Sequence, residues 1–404
     1  SAFCLSEPNV GCDAGGQETR CELLEDGEHY ILNGEKKWAT SGAISGLFTV
    51  MAKQKMADGK DKVTALVCTP DMEGVDIYSK NRSKCGIRGT WQARIRFHNV
   101  KVPVGNLLHK EGKGLNVALT CLNYGRCTLS AGMLGSANRC KNQAIKWART
   151  RYQFQRPLSD FDLMKQRIAH MSALTYAMDA MLYMTTGFLD RKDDDIMVET
   201  AICKTFCSEM GWRVVNDAVQ IMGGESYMTE NEVERAFRDS RINIIVEGAN
   251  EVMQCFIFGY GGKSLAEQMV GVQERLLWDG DESFGANLSR IMKNSFDPKV
   301  MGLAIPLGLE RFLGLKKAAP KLTKVHPSLS GPASRIGWLI REHSHQFKMA
   351  SKVNKERILE RQTVQARIGD VAIYLHAMVC TLSKLDQQVR SGQDGPEMAR
   401  DRAA

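Results

Sequence analysis

No apolar run in this chain approaches the roughly 20 residues needed to cross a bilayer as a helix, which argues against a membrane-spanning segment. The twelve cysteines form no Cys-x-x-Cys pair and no Cys/His grouping at zinc-ligand spacing, so they read as reduced thiols and no metal site is expected. Cys203 and Cys207 share one helical face, where small buried hydrophobes are the simplest reading. A net charge of +8 comes without any recognition-module pattern, which disfavours nucleic acid as a partner. Internal repeats and low-complexity segments are absent. The first residues, Ser1-Ala-Phe-Cys4, show no initiator Met, n-region or cleavage pattern, and the chain reads as a fragment with any targeting segment upstream. What remains is an ordinary globular composition: 404 residues, 43% hydrophobic, enough for a large core and two or three domains.

The positive charge is concentrated. Residues 311–361 hold twelve Lys or Arg against three Glu, a local excess of nine charges. With the apolar residues Ile336, Trp338, Leu339 and Ile340 in the same stretch, the segment is expected to touch an anionic membrane peripherally; a solvated helix face or a packing surface is the plainer alternative.

The hydrophobic period changes once along the chain. From Glu28 to Val104, β-rich runs (29–32, 48–52, 63–68, 75–78 and 95–102) alternate with turn signals at Asn33-Gly34, Asp58-Gly59 and Pro70-Asp71. This predicts a compact antiparallel β domain over 1–112. After Gly112-Lys-Gly114 the apolar spacing becomes three and four, predicting helices near 115–150, 160–191, 195–222 and 249–260, a four-helix bundle within 113–262. A variable, Gly- and Pro-containing stretch (263–333) precedes two more helices near 334–358 and 360–391, which would form a separate basic C-terminal domain, 263–404. The fold class is therefore α+β.

Glu247 stands out chemically, in the run Arg241-Ile-Asn-Ile-Ile-Val-Glu-Gly-Ala-Asn-Glu251. A carboxylate after Ile-Ile-Val and before glycine, held in an apolar pocket, would have its pKa raised by desolvation and be sharpened as a base toward a weakly acidic C–H proton. Taken alone, a Glu between a strand-like segment and a helix is more often a solvated first-turn residue.

Taken in order, Ala2-Phe-Cys-Leu-Ser-Glu-Pro-Asn-Val-Gly-Cys-Asp13, Trp38-Ala-Thr-Ser41 and Glu247-Gly248 resemble motifs of the acyl-CoA dehydrogenases over about residues 1–260, and the C-terminal extension is most similar to the very-long-chain branch. In that family a helical domain precedes the β domain. The resemblance implies a flavoprotein of fatty acid β-oxidation, using FAD, acting on long-chain acyl-CoA, passing electrons to an electron-transfer flavoprotein and forming at least a homodimer. It further implies a mitochondrial matrix or inner-membrane setting in a eukaryote, and a cytoplasmic or membrane-peripheral one in a bacterium.

Residue by residue, the resemblance places Glu247 as the catalytic base that takes the α-proton while the β-hydride goes to the flavin. Phe3, Leu5, Ser6, Gly11 and Cys12 fall in the segment that meets the flavin's pyrimidine edge, with Ser6 as donor. Trp38, Ala39 and Thr40 form its second wall. Arg151 and Phe154 sit where the pyrophosphate is contacted, for which a guanidinium fork is suited. Gln220, Gly223 and Gly224 belong to a loop lent across the dimer to the neighbour's cofactor. Ala249, Asn250 and Glu251 open the helix that faces the cofactor. Cys12, Asn123, Tyr124, Arg126 and Gly248 fall at substrate-contacting positions.

Five departures from the pattern are visible: Cys12 for Ser, Gln155 for Gly, Lys165 for Gln, Ser226 for Gly and Ala249 for Thr. A Cβ at a glycine position obstructs close approach, and Ala249 lacks a hydrogen-bonding hydroxyl. Two other functions share these residues: a flavin acyl-CoA oxidase that discharges to dioxygen, and a dehydrogenase-like scaffold or assembly protein with weak or no turnover.

Overall fold

The computed structural model describes residues 1–193 and 195–392. Its strands are β1 (Ala2–Cys4), β2 (Arg20–Leu23), β3 (His29–Thr40), β4 (Phe48–Lys55), β5 (Asp61–Cys68), β6 (Val75–Ser79), β7 (Gln92–Pro103), β8 (Leu107–Leu108), β9 (Tyr152–Gln153) and β10 (Arg156–Pro157). The helices are α1 (Gly114–Thr150), α2 (Asp162–Asp190), α3 (Met197–Met222), α4 (Glu232–Ser240), α5 (Asn250–Gly261), α6 (Lys263–Leu276), α7 (Phe284–Ser295), α8 (Pro298–Leu313), α9 (Ser330–Asn354) and α10 (Gln362–Arg390). They form two compact units that do not follow the chain in order: residues 1–128 with 222–249, and residues 129–221 with the chain from Asn250 on.

The first unit is built on an eight-stranded sheet in the order β6-β7-β3-β2-β4-β5-β8, with β1 beside β4. It is mostly antiparallel, as the turn signals predict, but β1 and β2 each run parallel to β4, because the chain loops back between residues 5 and 19. Side chains alternate across the pleat. Tyr30 and Leu32 of β3, Phe48 and Val50 of β4, and Ile95 and Phe97 of β7 form one buried face. Met51, Val63 and Ala65 face the other way and pack with Ala118 at the start of α1. Each such side chain contributes about 1.5–3 kcal/mol when fully buried.

Two register shifts interrupt the long β3–β7 ladder, one between Leu32 and Gly34 and one between Lys37 and Ala39. Asn33-Gly34 is therefore not the expected turn; it lies within β3, where Asn33 pairs with Asn99 of β7. Gly34 has φ 146°, and a Cβ there would sit 2.6 Å from Thr19 Cα, so only glycine allows the two backbones to approach. Asp58-Gly59 does turn the β4–β5 hairpin, with the Gly59 N–H donating to Met56 O at 2.9 Å.

The segment 222–249 completes this unit. Asn231 caps α4 by accepting from the Val233 N–H. The β6–β7 loop clasps the end of that helix: the Ile87 N–H donates to Asp239 Oδ1 and Arg238 to the Cys85 carbonyl, while a Cβ at Gly86 would overlap the Arg238 carbonyl. The residues before Glu247 are not strand-like, since Arg241–Ile244 is a turn of 3-10 helix.

The second unit is helical, and its core is rich in soft sulfur side chains. Met133, Met171, Met178, Met181, Cys203, Cys207 and Met210 are all buried. α10 packs on α2, α5 and α9, and a Cβ at Gly369 would overlap the Gln254 carbonyl of α5. The C-terminal helices thus share one unit with the bundle. α10 has a mean hydropathy of 1.3 over its most apolar window, enough by length and composition alone to cross a membrane. The sequence reading missed this because polar residues interrupt the run; of its apolar side chains Ile373, Leu375 and Leu382 are buried, while Val371, Tyr374 and Met378 are exposed.

The stretch read as variable contains α6, α7 and α8. Some of its Gly and Pro residues punctuate helices: Asp297 caps α8, Pro298 takes its first position, and Gly314 closes it at φ 68°, while Pro306 lies within it. In the basic segment, Ile336 is core, so the expected membrane-facing set is corrected: Ile336 and Ile340 pack with Leu329, Ala333 and Leu382. Trp338 of that set is exposed, and further exposed apolar side chains include Phe284, Met292, Phe296 and Phe312 of α7, α8 and the turn between them.

Candidate active site

Glu247 has φ 58° and Gly248 φ 91°, two consecutive residues in the left-handed region. For glutamate that backbone costs about 1–2 kcal/mol and persists only where neighbours impose it. Here the neighbours belong to α1. A Cβ at Gly125 would lie 2.9 Å from Glu247 Oε2 and 3.1 Å from Oε1, so the carboxylate rests on the bare backbone of a helical glycine. One residue on, Arg126 is only 3% exposed. Its Nε makes a long hydrogen bond, 3.5 Å, to the Glu247 carbonyl, and another guanidinium nitrogen donates to Asn123 Oδ1 at 3.3 Å. Burial pushes the Arg126 guanidinium down from its ordinary value and the Glu247 charge acts against that push; an arginine stays protonated throughout.

The apolar run does not wall the carboxylate as expected. Ile245 is 51% exposed and Val246 39%. The burial of Glu247 Oε2 comes instead from its neighbours across the fold. A half-buried carboxylate in a fixed, strained conformation beside a buried cation can accept a proton from a substrate placed against it, because its orientation is set before the substrate arrives.

Trp38 is the extra residue of the β3 bulge, with φ 63°, and the bulge turns its indole outward, 48% exposed. Lys37 Nζ lies 4.7 Å from the ring centroid. Next to it Ala39 is buried in the sheet, while Thr40 is exposed with its hydroxyl bonded to Gln92. The loop carrying Ser6 is held from beneath: Lys36 Nζ, fully buried, donates to Glu7 Oε1 at 2.6 Å, to Gln17 Oε1 and to the Leu5 carbonyl. Glu7 in turn accepts from the backbone N–H groups of Glu18 and Thr19. Burial pushes the Glu7 carboxyl up, but Lys36 and these donors together hold it below the usual carboxylate range; burial lowers Lys36. Ser6 is half-buried and its carbonyl accepts from the Lys37 N–H at 2.8 Å. Phe3 and Leu5 pack against the Met51 cluster, and Gly11 and Cys12 are exposed. Tyr124 is exposed on α1.

Gly223 has φ 63°, and a Cβ at Gly223 or Gly224 would meet nothing within 4 Å, which leaves the backbone open to close approach. Ser226 is buried and its hydroxyl donates to the Gly223 carbonyl at 2.8 Å, so this departure braces the loop.

The second unit carries the remaining expected residues. Arg151 directly follows α1, exposed, with no acidic partner among the described residues. Phe154 and Gln155 have φ 52° and 65° and are the two central residues of the β9–β10 hairpin, in which Gln153 pairs with Arg156. That is the signature of a type I′ turn, which favours glycine at its second centre. The turn holds the Phe154 ring 89% exposed. Gln220 is exposed at the end of α3 and Glu251 in the first turn of α5. Asn250 is different: it is buried, accepts from Lys204 at 2.6 Å and donates to Ser208 and to Glu209. Its side chain is thus committed inside the unit. Ala249, in the first unit, is half-buried. Among the described residues no group of His, Cys, Asp or Glu has metal-binding geometry.

Residues 2–100 match the family model of the acyl-CoA dehydrogenase middle domain, and residues 112–258 that of the acyl-CoA dehydrogenase C-terminal domain. This chain belongs to the acyl-CoA dehydrogenase family. It is 32% identical over 97% of its length to the mitochondrial very long-chain specific acyl-CoA dehydrogenase of Macaca fascicularis, and spans 58% of that protein. Among solved structures it resembles an acyl-CoA dehydrogenase complexed with FAD from Bacillus anthracis (TM-score 0.78, 27% identity), with 97% of this chain and 63% of that one covered. The butyryl-CoA dehydrogenase of Megasphaera elsdenii aligns with TM-score 0.61 and 34% identity, over 65% of this chain and 67% of that one. Within this acyl-CoA dehydrogenase fold, sequence reasoning missed the Glu7–Lys36 pair and Gly125. Lys36 gave a signal, being a charged residue at an inward strand position; Gly125 gave none, since its value depends on Glu247 arriving from far along the chain.

Proposed function

We propose that this chain carries out FAD-dependent α,β-dehydrogenation of long-chain acyl-CoA thioesters, with Glu247 taking the α-proton. The observation that carries the reading is the fixed, left-handed Glu247 carboxylate resting on Gly125 beside buried Arg126. FAD, when bound, supplies the acceptor for the β-hydride. The residues present fit that group: an outward indole at Trp38, an exposed Thr40 whose hydroxyl is oriented by Gln92, an Arg151 with no acidic partner among the described residues, and open glycines at 223 and 224. Ser6, Trp38 and Thr40 are assigned to the flavin ring, Arg151 and Phe154 to the pyrophosphate, and Gln220, Gly223 and Gly224 to a neighbouring subunit's cofactor in a homodimer.

On this chain the work is positional. Arg126 orients the Glu247 backbone and Asn123 steadies Arg126; the Glu247 N–H is assigned to the thioester oxygen, where a donor is worth about 3 kcal/mol as charge develops. Cys12, Tyr124 and Gly248 are assigned to substrate contact. An electron-transfer flavoprotein is the proposed electron acceptor. Peripheral membrane contact is assigned to the exposed apolar side chains of α7 and α8.

The test is anaerobic mixing of the purified protein with palmitoyl-CoA while the visible flavin absorbance is followed, in parent and Glu247→Gln. Bleaching in the parent and a rate at least about a hundredfold lower in the variant are expected, the usual worth of a positioned general base. Bound flavin that no acyl-CoA bleaches would move the reading to a scaffold. Stoichiometric hydrogen peroxide in aerobic turnover would move it to an oxidase.

A further inference from the structure

The second unit contains an apolar cavity of about 280 Å³ that no part of the proposed reaction uses. Its wall is set by two helical periods. On α6, Met269, Val272 and Leu276 recur at spacings of three and four, and on α8 Ala304, Leu307 and Gly308 do the same. These two helices pack against each other. Gly308 keeps the space open: a Cβ there would meet nothing within 4 Å. The cavity reaches the surface at Leu277 and Phe312, both more than half exposed.

The charge at this cavity is asymmetric. Glu310, 3% exposed, lines it but is already neutralised: Oε2 accepts from Lys348 Nζ at 2.6 Å and Oε1 lies 2.9 Å from His345 Nδ1. Lys352 is turned to the Arg311 carbonyl. That leaves Arg311, a lining residue, with no acidic partner among the described residues, a positive charge beside an apolar chamber. A dry apolar space of about 150 Å³ holds a benzene, so this one has room for about ten to twelve aliphatic carbons.

We infer that the α6–α8 cavity is a binding site for a single-chain amphiphile with an anionic head, a fatty carboxylate whose chain lies between Met269 and Leu307 and whose head meets Arg311. The chemistry is complementary at both ends: the chain leaves water, and the carboxylate gains a bidentate-capable donor in place of solvent. Binding there is independent of whether the protein turns over acyl-CoA.

The experiment titrates the purified full chain, with its flavin, with dansyl-undecanoate, using dodecanoate and dodecanol as competitors, in the parent, Gly308→Phe and Arg311→Gln. Phenylalanine at position 308 fills the chamber and replaces a helix-interior glycine, so it does not cost helix propensity. Saturable binding displaced by dodecanoate is expected in the parent. It should fall at least tenfold in Gly308→Phe with palmitoyl-CoA bleaching unchanged. Arg311→Gln should weaken dodecanoate about tenfold, the worth of one charge-assisted hydrogen bond, and leave dodecanol unchanged. Equal probe affinity in parent and Gly308→Phe overturns the site, and equal affinity for dodecanoate and dodecanol in the parent overturns the anionic head. Phosphatidylglycerol vesicles that displace the probe where dodecanoate does not would also overturn it, in favour of a bilayer surface. Should Gly308→Phe lose its circular dichroism signature, photolabelling of the parent with a diazirine-bearing dodecanoate decides: label on α6 or α8 supports the site, and label confined elsewhere overturns it.

Discussion

The two units of this chain are built on different cores. The first is a sheet that holds Trp38 and Glu247, among others, in left-handed backbone, with a fully buried Glu7–Lys36 pair under the Ser6 loop and glycines at which a Cβ would clash. The second is helical, packs on methionine and cysteine, and leaves large apolar side chains of α7 and α8 at its surface. The difference shows where precision is held. A bulged strand and a left-handed glutamate keep their geometry only if the layer beneath cannot shift, whereas a methionine core tolerates adjustment because its side chains are unbranched and flexible. Dividing the labour this way puts the candidate base on the stiff unit.

The largest expected effect breaks the stiff side. Lys36→Met leaves Glu7 buried without its cation and should destabilise the first unit by about 3–5 kcal/mol, read from urea unfolding followed by tryptophan fluorescence. Adding Glu7→Gln to that variant should recover part of the loss, because the uncompensated charge is then gone. A Lys36→Met variant as stable as the parent would show that the pair is not what holds the Ser6 loop.

A smaller effect separates the units by pH. Burial lowers the pKa of His343 on α9 and His376 on α10 below the ordinary 6.5. The unfolded chain therefore takes up protons at these two sites before the folded one does. The neutral forms contribute stability that is full above 6.5 and falls as pH drops below it toward the folded values. In the first unit Glu7 is held below the ordinary 4.5, so its contribution is present above 4.5 and falls only as pH drops toward its folded value. Hydrogen exchange measured between neutral and mildly acidic pH should thus show α9 and α10 losing protection first. The sheet losing protection at the same pH would contradict this.

How much of this was legible follows from what is local. The long helices were, because a three- and four-residue apolar period is written into the sequence of α1, α2, α3 and α10 themselves. Glu247 stood out as a candidate because the residues around it are contiguous, but its support by Gly125 and Arg126 was not legible. The bulge at Trp38 was not, since a register shift depends on how many residues the partner strand offers, and β7 is more than 50 residues away. Asn33-Gly34 misled for the same reason: the pair that favours a turn also fits a bulge. Ile336 misled because apolar residues beside many lysines suggest a membrane face, while the helix directs them into a core with Leu329 and Leu382.

The smallest effect tests a departure from the family pattern directly. Gln155 occupies the second centre of the β9–β10 type I′ turn at φ 65°, where a side chain costs about 1 kcal/mol and glycine costs nothing sterically. Gln155→Gly should therefore stabilise the hairpin by about 1 kcal/mol, offset in part by the greater freedom of glycine in the unfolded chain. The same change removes a Cβ beside Phe154 and Arg151, the residues assigned to the cofactor's pyrophosphate. If the strain and the cofactor contact reside in the same turn, the variant should gain thermal stability and hold flavin at least as tightly as the parent, measured as the midpoint of unfolding and the flavin retained after dialysis. A gain in the midpoint with weaker flavin retention would mean that the Gln155 side chain itself contributes to binding, and that the departure is an adaptation of this chain.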